Sequence, residues 1–297
     1  MRFSVWPTTG QSWEDLLACA QDAEELGYQG VWVADHFMPA GGDLARPTLE
    51  CWAVLAGLAV AVPRVRLGSL VCSVTYRHPA VLANQAASVD QLSGGRLVLG
   101  IGAGWQENEH RAYGIDFPDA RERLDRLEEA CQVLRLLADQ PRADFRGRHY
   151  RLVDAPSEPK PRQAHLPLLV GGGGERRTLR IVARWADEWN TWGTPEVLAA
   201  KGAVLDAHCE AVGRDPASIR RSAQVLVDLG GRSPSDGRMP TVTGSASELQ
   251  DLLAGYQAAG VGEFVLPDWN LGRGSRRRDA LAEFFEEVAR PFADRAG

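Results

Sequence analysis

The sequence predicts an eight-stranded parallel β/α barrel (a TIM barrel) with insertion segments, and three observations carry the prediction. Short apolar segments alternate with helix-like segments from one end of the chain to the other, and eight of the former can be counted. The length, 297 residues, suits an eightfold barrel built as a single domain over residues 1–297. The first turn, Pro7-Thr8-Thr9-Gly10, carries no GxGxxG, so the competing arrangement, a doubly wound open sheet, lacks its nucleotide-binding start.

Phe3 to Trp6 forms the first strand. Ser12 caps a helix whose first turn includes Asp15 and which stops at Gly27. The second strand, Gly30 to Ala34, is apolar throughout, as a strand covered on both faces should be. A helix from Thr48 to Ala61 follows, then strand three (Arg66 to Val71), a helix from Pro79 to Leu92 and strand four (Arg96 to Gly100). The rhythm then breaks. After Gly102-Ala103-Gly104 an irregular stretch reaches Pro118, a periodic helix covers Ala120 to Leu137, and residues 142–154 read as a small hairpin. Residues 102–120 and 140–165 should therefore lie outside the basic repeat.

Strand five, Leu166 to Val170, leads through Gly171–Gly174 into a helix from Glu175 to Trp185. Strand six is Glu188 to Thr191, and Pro195 opens the next helix at a favoured position. Strand seven covers Ser222 to Asp228, and the Gly/Ser/Pro-rich residues 230–240 form a loop. Ser245 and Glu248 cap a helix ending near Gly260, strand eight is Glu263 to Leu266, and a last helix occupies Asp279 to Phe292.

Composition narrows the function. With 33 basic against 39 acidic side chains the net charge is -6, a poor match to nucleic acid or an anionic membrane. The five cysteines form no CxxC pair and their number is odd, which favours a reducing compartment over a disulfide framework. The start, MRFSVWPTTG, lacks a signal-peptide pattern, and the most apolar run, Cys51 to Val62, is too short to cross a bilayer. A cytoplasmic protein is expected.

Barrel active sites are built from the loops after the strands. Trp6, Trp105, Trp192 and Trp269 all fall in such loops, and an aromatic mouth suits a planar, partly apolar ligand. Asp35-His36 follows strand two, where His36 could move a proton near neutral pH or could simply close the strand end. Gly171–Gly174 between a strand and a helix start offers backbone amides to a phosphate, with Arg176 and Arg177 adding charge. Asn108 and Glu109, leaving the fourth turn, either bond a ligand or pin the loop. The basic cluster Arg273, Arg276, Arg277 and Arg278 reads as solvated, or as a rim for an anionic cofactor tail. His78 and His110 have no ligand spacing and HExxH is absent, so no metal is expected.

Several segments together resemble the luciferase-like monooxygenase superfamily, particularly its branch dependent on the deazaflavin coenzyme F420. They are ELGYQGVWVADHF (25–37), the run from Arg64 to Gly114, RERLDRLEEA (121–130) and LPLLVGGGGERRTLRIVARWADEWN (166–190). The resemblance implies a barrel enzyme, often a homodimer, that holds F420 or FMN in its mouth. It implies that Asp35 and His36 lie beside the ring system as the catalytic pair. It places a non-prolyl cis peptide at Leu70-Val71 against the ring face, a closing loop at Gly104, Trp105 and Asn108, and the phosphate at Gly172, Gly173, Gly174, Glu175 and Arg176. A reductase supplying the reduced coenzyme is a possible partner.

One position departs from the pattern. Sugar-phosphate and pterin dehydrogenases of this branch carry an acid immediately after the second glycine of the fourth turn, where this chain has Trp105. Three functions stay open: hydride transfer with F420, FMN-dependent oxygenation, and non-catalytic flavin binding. A proton carrier at the ring edge has little purpose in storage, which favours the first two.

Overall fold

The structure, a computed structural model, describes residues 1–231 and 241–293. Eight parallel strands close on themselves: Arg2–Trp6, Gly30–Val33, Arg66–Ser69, Leu97–Gly102, Leu168–Gly171, Glu188–Trp192, Arg220–Gln224 and Glu263–Pro267. The first pairs with the eighth from Arg2↔Glu263 to Trp6↔Pro267, and the third pairs with the fourth at Leu67↔Leu97. This closure excludes the open sheet. Helices α1 (Trp13–Leu26), α2 (Cys51–Ala61), α3 (Pro79–Ser93), α4 (Glu107–Tyr113), α5 (Ala120–Asp139), α6 (Thr178–Trp185), α7 (Pro195–Ala211), α8 (Ala246–Ala258) and α9 (Gly274–Glu283) follow in order.

Local chemistry sets several boundaries. Ser12 accepts from the Asp15 amide at the start of α1, and Gly27 ends it in the left-handed region at φ 96°. Ser245 and Glu248 form a reciprocal capping box on α8. Residues 142–156 make the expected antiparallel hairpin, Arg142–Arg146 against Arg151–Pro156.

Other boundaries differ from the sequence reading. Helix α2 starts at Cys51 rather than Thr48, because the Glu50 side chain caps it by accepting from the Ala53 amide at 2.7 Å. Strand three stops at Ser69, and after the Leu70-Val71 peptide the short strand Cys72–Ser73 pairs onto strand four. The irregular stretch to Pro118 contains α4. Helix α6 begins at Thr178, so residues 175–177 belong to the glycine turn. Strand seven is two pieces: Arg220–Gln224 stays in the barrel, while Leu226–Leu229 leaves it to pair with Thr241–Gly244. The last helix begins earlier, at Gly274, and continues as a π-turn over Phe284–Ala289. Of the expected loop 230–240, residues 232–240 lie outside the described residues.

The main core lies between strands and helices, where Phe3, Val5, Val31, Leu67, Leu99, Val170 and Phe264 face outward from the barrel. The barrel's inside is layered. Towards its N-terminal end Arg66 joins two buried carboxylates, Glu188 and Glu263, and Ser4 and Trp32 also donate to Glu263. Inside the barrel the Asn190 amide also donates to the Ser222 hydroxyl and to the Gln224 side-chain carbonyl. Towards the mouth Trp6, Leu70, Leu169 and Val265 form an apolar plug, with Val71 and Trp192 packed on it. The floor of the mouth is therefore closed by apolar side chains. Among the described residues no helix is long and apolar enough to cross a membrane.

Candidate active site

The second strand delivers Asp35 and His36 to the mouth, but they have different partners. Asp35 is buried and held by both nitrogens of Arg77, at 2.6 and 3.0 Å, and Arg77 reaches on to Glu50 at 2.5 Å. Burial pushes the Asp35 carboxyl up, and the Arg77 pair opposes that shift. Both of its oxygens are thus engaged by a guanidinium. The sulfurs of Cys51 and Cys72 approach the same carboxylate, all three ligand atoms lying within 4.8 Å, a grouping the chain order hides. Arg77 already pairs with that carboxylate, and burial pushes the Cys51 thiol up.

His36 is bound to Glu109. Its Nδ1 lies 2.7 Å from Oε1 of that carboxylate, which is fully buried and also accepts from the Phe37 amide at 2.8 Å and from the Tyr76 hydroxyl. Burial pushes the Glu109 carboxyl up, but the bonds from His36, Tyr76 and Phe37 outweigh it and hold the group below its ordinary value. A carboxylate only accepts, so Nδ1 carries the hydrogen and Nε2 is the nitrogen left for a ligand. Trp105, 65% exposed, stands edge-on to the imidazole with centroids 5.4 Å apart.

Helix α4 explains the rest of the polar run. Asn108 donates to the carbonyls of Pro39 and Ala40 at 3.3 Å, and Gln106 to that of Met38 at 3.0 Å, so both pin the loop after strand two. His110 is buried between a carbonyl and a hydroxyl, with Nδ1 2.7 Å from Gln106 O and Nε2 2.6 Å from Thr75 Oγ1. Thr75 in turn meets Ser73 at 2.6 Å.

The Leu70-Val71 peptide is cis, as the resemblance implies. Val71 projects into a space kept open by glycines: a Cβ on Gly102 or Gly171 would come within 2.8 or 2.9 Å of its methyl carbons. Gly104, at φ 80°, leaves room beside Ser73 that a side chain would fill.

At the glycine turn the backbone itself is the feature. The Gly172 amide bonds Asn190 O, whereas the amides of Gly173, Gly174, Glu175 and Arg176 have no protein acceptor among the described residues. A Cβ on Gly174 would lie 2.8 Å from Thr178 Oγ1, and one on Gly173 3.0 Å from Thr191 Oγ1. This is an amide cradle that fits a phosphate. Lys201 of α7, missed in the sequence, sits at it with Nζ 2.7 Å from Gly173 O and 3.2 Å from Glu175. Arg176 is exposed, and Arg177 turns away to Asp125 and the Arg121 carbonyl.

The rim arginines are engaged elsewhere. Arg277 is buried against Asp268 at 3.2 Å and Gln11 at 2.8 Å, Arg278 pairs with Asp22 and Glu25, and Arg273 pairs with Asp15 at 3.1 Å. These three hold α9 to α1 and to the eighth strand's loop; Arg273 and Arg276 are exposed, as a solvated loop and helix start should be, and the buried Arg277 is the departure from that reading. Of the four mouth tryptophans, Trp6, Trp192 and Trp269 meet one another and Trp105 meets His36.

Fold and mouth together define the class: an eightfold β/α barrel with an imidazole–carboxylate pair at the ends of its strands. The chain belongs to the luciferase-like monooxygenase family, whose model matches residues 1–236. An F420-dependent glucose-6-phosphate dehydrogenase of Amycolatopsis mediterranei is 36% identical over 176 residues, 58% of this chain and 50% of that protein. The F420-dependent hydroxymycolic acid dehydrogenase of Mycobacterium tuberculosis is 32% identical over 221 residues, 72% of this chain and 59% of its own length. The chain thus spans only about half the length of these curated relatives. Among solved structures, an F420-dependent secondary alcohol dehydrogenase with an F420–acetone adduct superposes with a TM-score of 0.87 over 99% of both chains, at 20% identity. The F420-dependent tetrahydromethanopterin reductase of Methanopyrus kandleri gives 0.84 over 98% of this chain and 99% of its own, at 17% identity. At those identities the likeness concerns the fold.

Proposed function

We propose that this protein is an oxidoreductase that uses coenzyme F420 to pass hydride to or from an organic substrate. The observation that carries the reading is the His36–Glu109 pair, which fixes an imidazole at the mouth with Nε2 left for a ligand. The free amides of Gly173 to Arg176 and the nearby Lys201 suit the coenzyme's phosphate. Leu70 and Val71 form the apolar surface for its ring, and Gly104, Trp105 and Asn108 shape the loop above it. When bound, the deazaflavin supplies two-electron hydride chemistry.

The chain's residues then divide the remaining work. His36 accepts or returns the substrate proton at Nε2, and Glu109 holds the ring in that tautomer and stabilises it while protonated. Asp35 acts through structure, since its oxygens are bound by Arg77. No acid follows the second glycine of the fourth turn, so Trp105 shields and His36 carries the proton. His36→Asn should keep F420 affinity within a few-fold and lower turnover by about 10²–10⁴; full turnover in the folded variant would remove His36 from the reaction. The same reading includes a cytoplasmic homodimer served by an F420 reductase, and a monomer in sedimentation at micromolar concentration would remove the dimer from it.

A further inference from the structure

We propose that the N-terminal end of the barrel, opposite the mouth, is a second binding site: a seat for a small multivalent oxyanion, either a polycarboxylate or a phosphate ester. A cavity of about 830 Å³ opens there, lined by Arg2, Arg66, Glu188 and Arg220, with Asp206 and Arg221 at its edge. The first four are the opening residues of the first, third, sixth and seventh barrel strands. Side chains alternate along a strand, so Arg2 shares the inward face with Ser4, Glu188 with Asn190 and Arg220 with Ser222. Strand starts far apart in the chain thereby bring three guanidinium groups to one opening.

Their charges are only partly answered. Arg66 is held by Glu188 and by Glu263, the latter at 3.1 Å. Arg220 comes no closer than 4.0 Å to Glu188, at the oxygen that Arg66 already holds. Arg2 forms no ion pair among the described residues. Glu188 is only 5% exposed, and its other oxygen, Oε2, is buried with no hydrogen-bond partner among the described residues. A buried oxygen left in this way costs free energy that a ligand hydrogen recovers or that a proton of its own removes. Burial, with Glu263 adding to it and Arg66 opposing, pushes this carboxyl up to about 7, so near neutrality Glu188 is partly protonated and can donate to an anion. The inward groups are then three guanidinium ions against the single carboxylate of Glu263, an excess that an oxyanion offsets through charge-assisted hydrogen bonds. Groups further out are paired among themselves: Asp206 with Arg221, and Asp187 with Arg135 and His165. A cationic ligand would face the same guanidinium groups and be repelled.

The test is calorimetric titration of the purified protein with sulfate, inorganic phosphate and citrate at constant ionic strength, with thermal melts alongside. Saturable millimolar or tighter binding is expected, with Tm rising as each anion saturates. Citrate binding tighter than phosphate marks a polycarboxylate ligand, and the reverse a phosphate ester; either supports the seat. Arg2→Gln and Arg220→Gln, at half-exposed side chains, should each weaken binding about tenfold, whereas Arg46→Gln, at an exposed arginine after the second strand, should not. Gly173→Val distinguishes this end from the glycine turn and should leave citrate binding unchanged. Sulfate keeps its charge between about pH 6 and 8, so its affinity reads Glu188. Binding should be about tenfold tighter at pH 6 than at pH 8, a difference lost in Glu188→Gln and kept in His165→Gln. No saturable binding below about 10 mM, binding that survives loss of both arginines, or binding abolished by Gly173→Val would overturn the proposal.

Discussion

Nδ1 of His36 lies 2.7 Å from Oε1 of Glu109, joining the loop after the second strand to the short helix after the fourth. The two residues are 73 positions apart, so the pair exists only because the barrel brings the loops of its second and fourth strands, one strand apart, to the same mouth. It gives the imidazole one hydrogen-bonding direction and leaves the other for chemistry.

Glu109→Gln should therefore act on turnover before affinity. The amide keeps the shape but can present N–H to a nitrogen that already carries hydrogen, so we expect kcat to fall about 10–100-fold with F420 affinity little changed. Stopped-flow reduction and equilibrium titration on the same variant separate the two. The pH dependence has a definite sign. Glu109 is held below its ordinary 4.5, so its contribution is complete above that value and is lost as pH falls through the lower folded one. Urea melts at acid pH should show the wild type losing stability more steeply than the variant.

The glycine cradle predicts a binding defect. A valine at Gly173 would crowd Thr191 and Lys201, 3.0 and 3.1 Å from its Cβ, and block approach to the free amides. F420 should bind at least about tenfold more weakly, roughly 1.4 kcal/mol, to a barrel that still folds. Lys201→Ala and Arg176→Ala should weaken binding less and in a salt-dependent way, because both side chains reach solvent. Fluorescence titration at two ionic strengths checks all three.

The space around Val71 predicts a coupling. Gly102→Ala places a methyl 2.8 Å from a Val71 methyl carbon and should destabilise the protein by about 1–3 kcal/mol. Val71→Ala removes the obstacle, so the double variant should cost less than the sum of the two single changes. Additive unfolding free energies would show that the contact is not what requires glycine.

Below the mouth, burial and the neighbouring Glu263 carboxylate push Glu188 from 4.5 up to about 7, with Arg66 opposing them. An acid raised in the folded state stabilises it fully below its unfolded value and loses that contribution as pH rises through the folded one. Stability should accordingly fall between about pH 4.5 and 7, on the order of 2–3 kcal/mol, and Glu188→Gln should flatten that slope. Thermal melts across this range, in both proteins, decide it.

Much of the barrel was legible because its signals are local. Apolar strands covered on both faces, the caps at Ser12 and Ser245, and Gly27 as a stop each lie within a few residues of what they determine. The extra strand Leu226–Leu229 was not, since a strand that leaves the barrel keeps the same apolar pattern as one that stays. Helix α4 was hidden by its length of 7 residues and its lack of an apolar repeat. In the site, His36 and the glycine turn stood out by type and place. The partners that define their chemistry, Glu109, Arg77 and Lys201, come from other loops and a helix face, and only tertiary structure pairs them. The ion pairs of the rim arginines were hidden for the same reason: their acids, Asp15, Asp22 and Asp268, belong to other elements.

The central claim is that this mouth holds a deazaflavin for hydride transfer, and a side-by-side equilibrium titration of purified protein with F420 and FMN tests it most directly. The account predicts saturable F420 binding that is tighter than FMN binding and weakened by Gly173→Val. FMN binding more tightly than F420, accompanied by substrate-dependent oxygen uptake when reduced flavin is supplied, would contradict it.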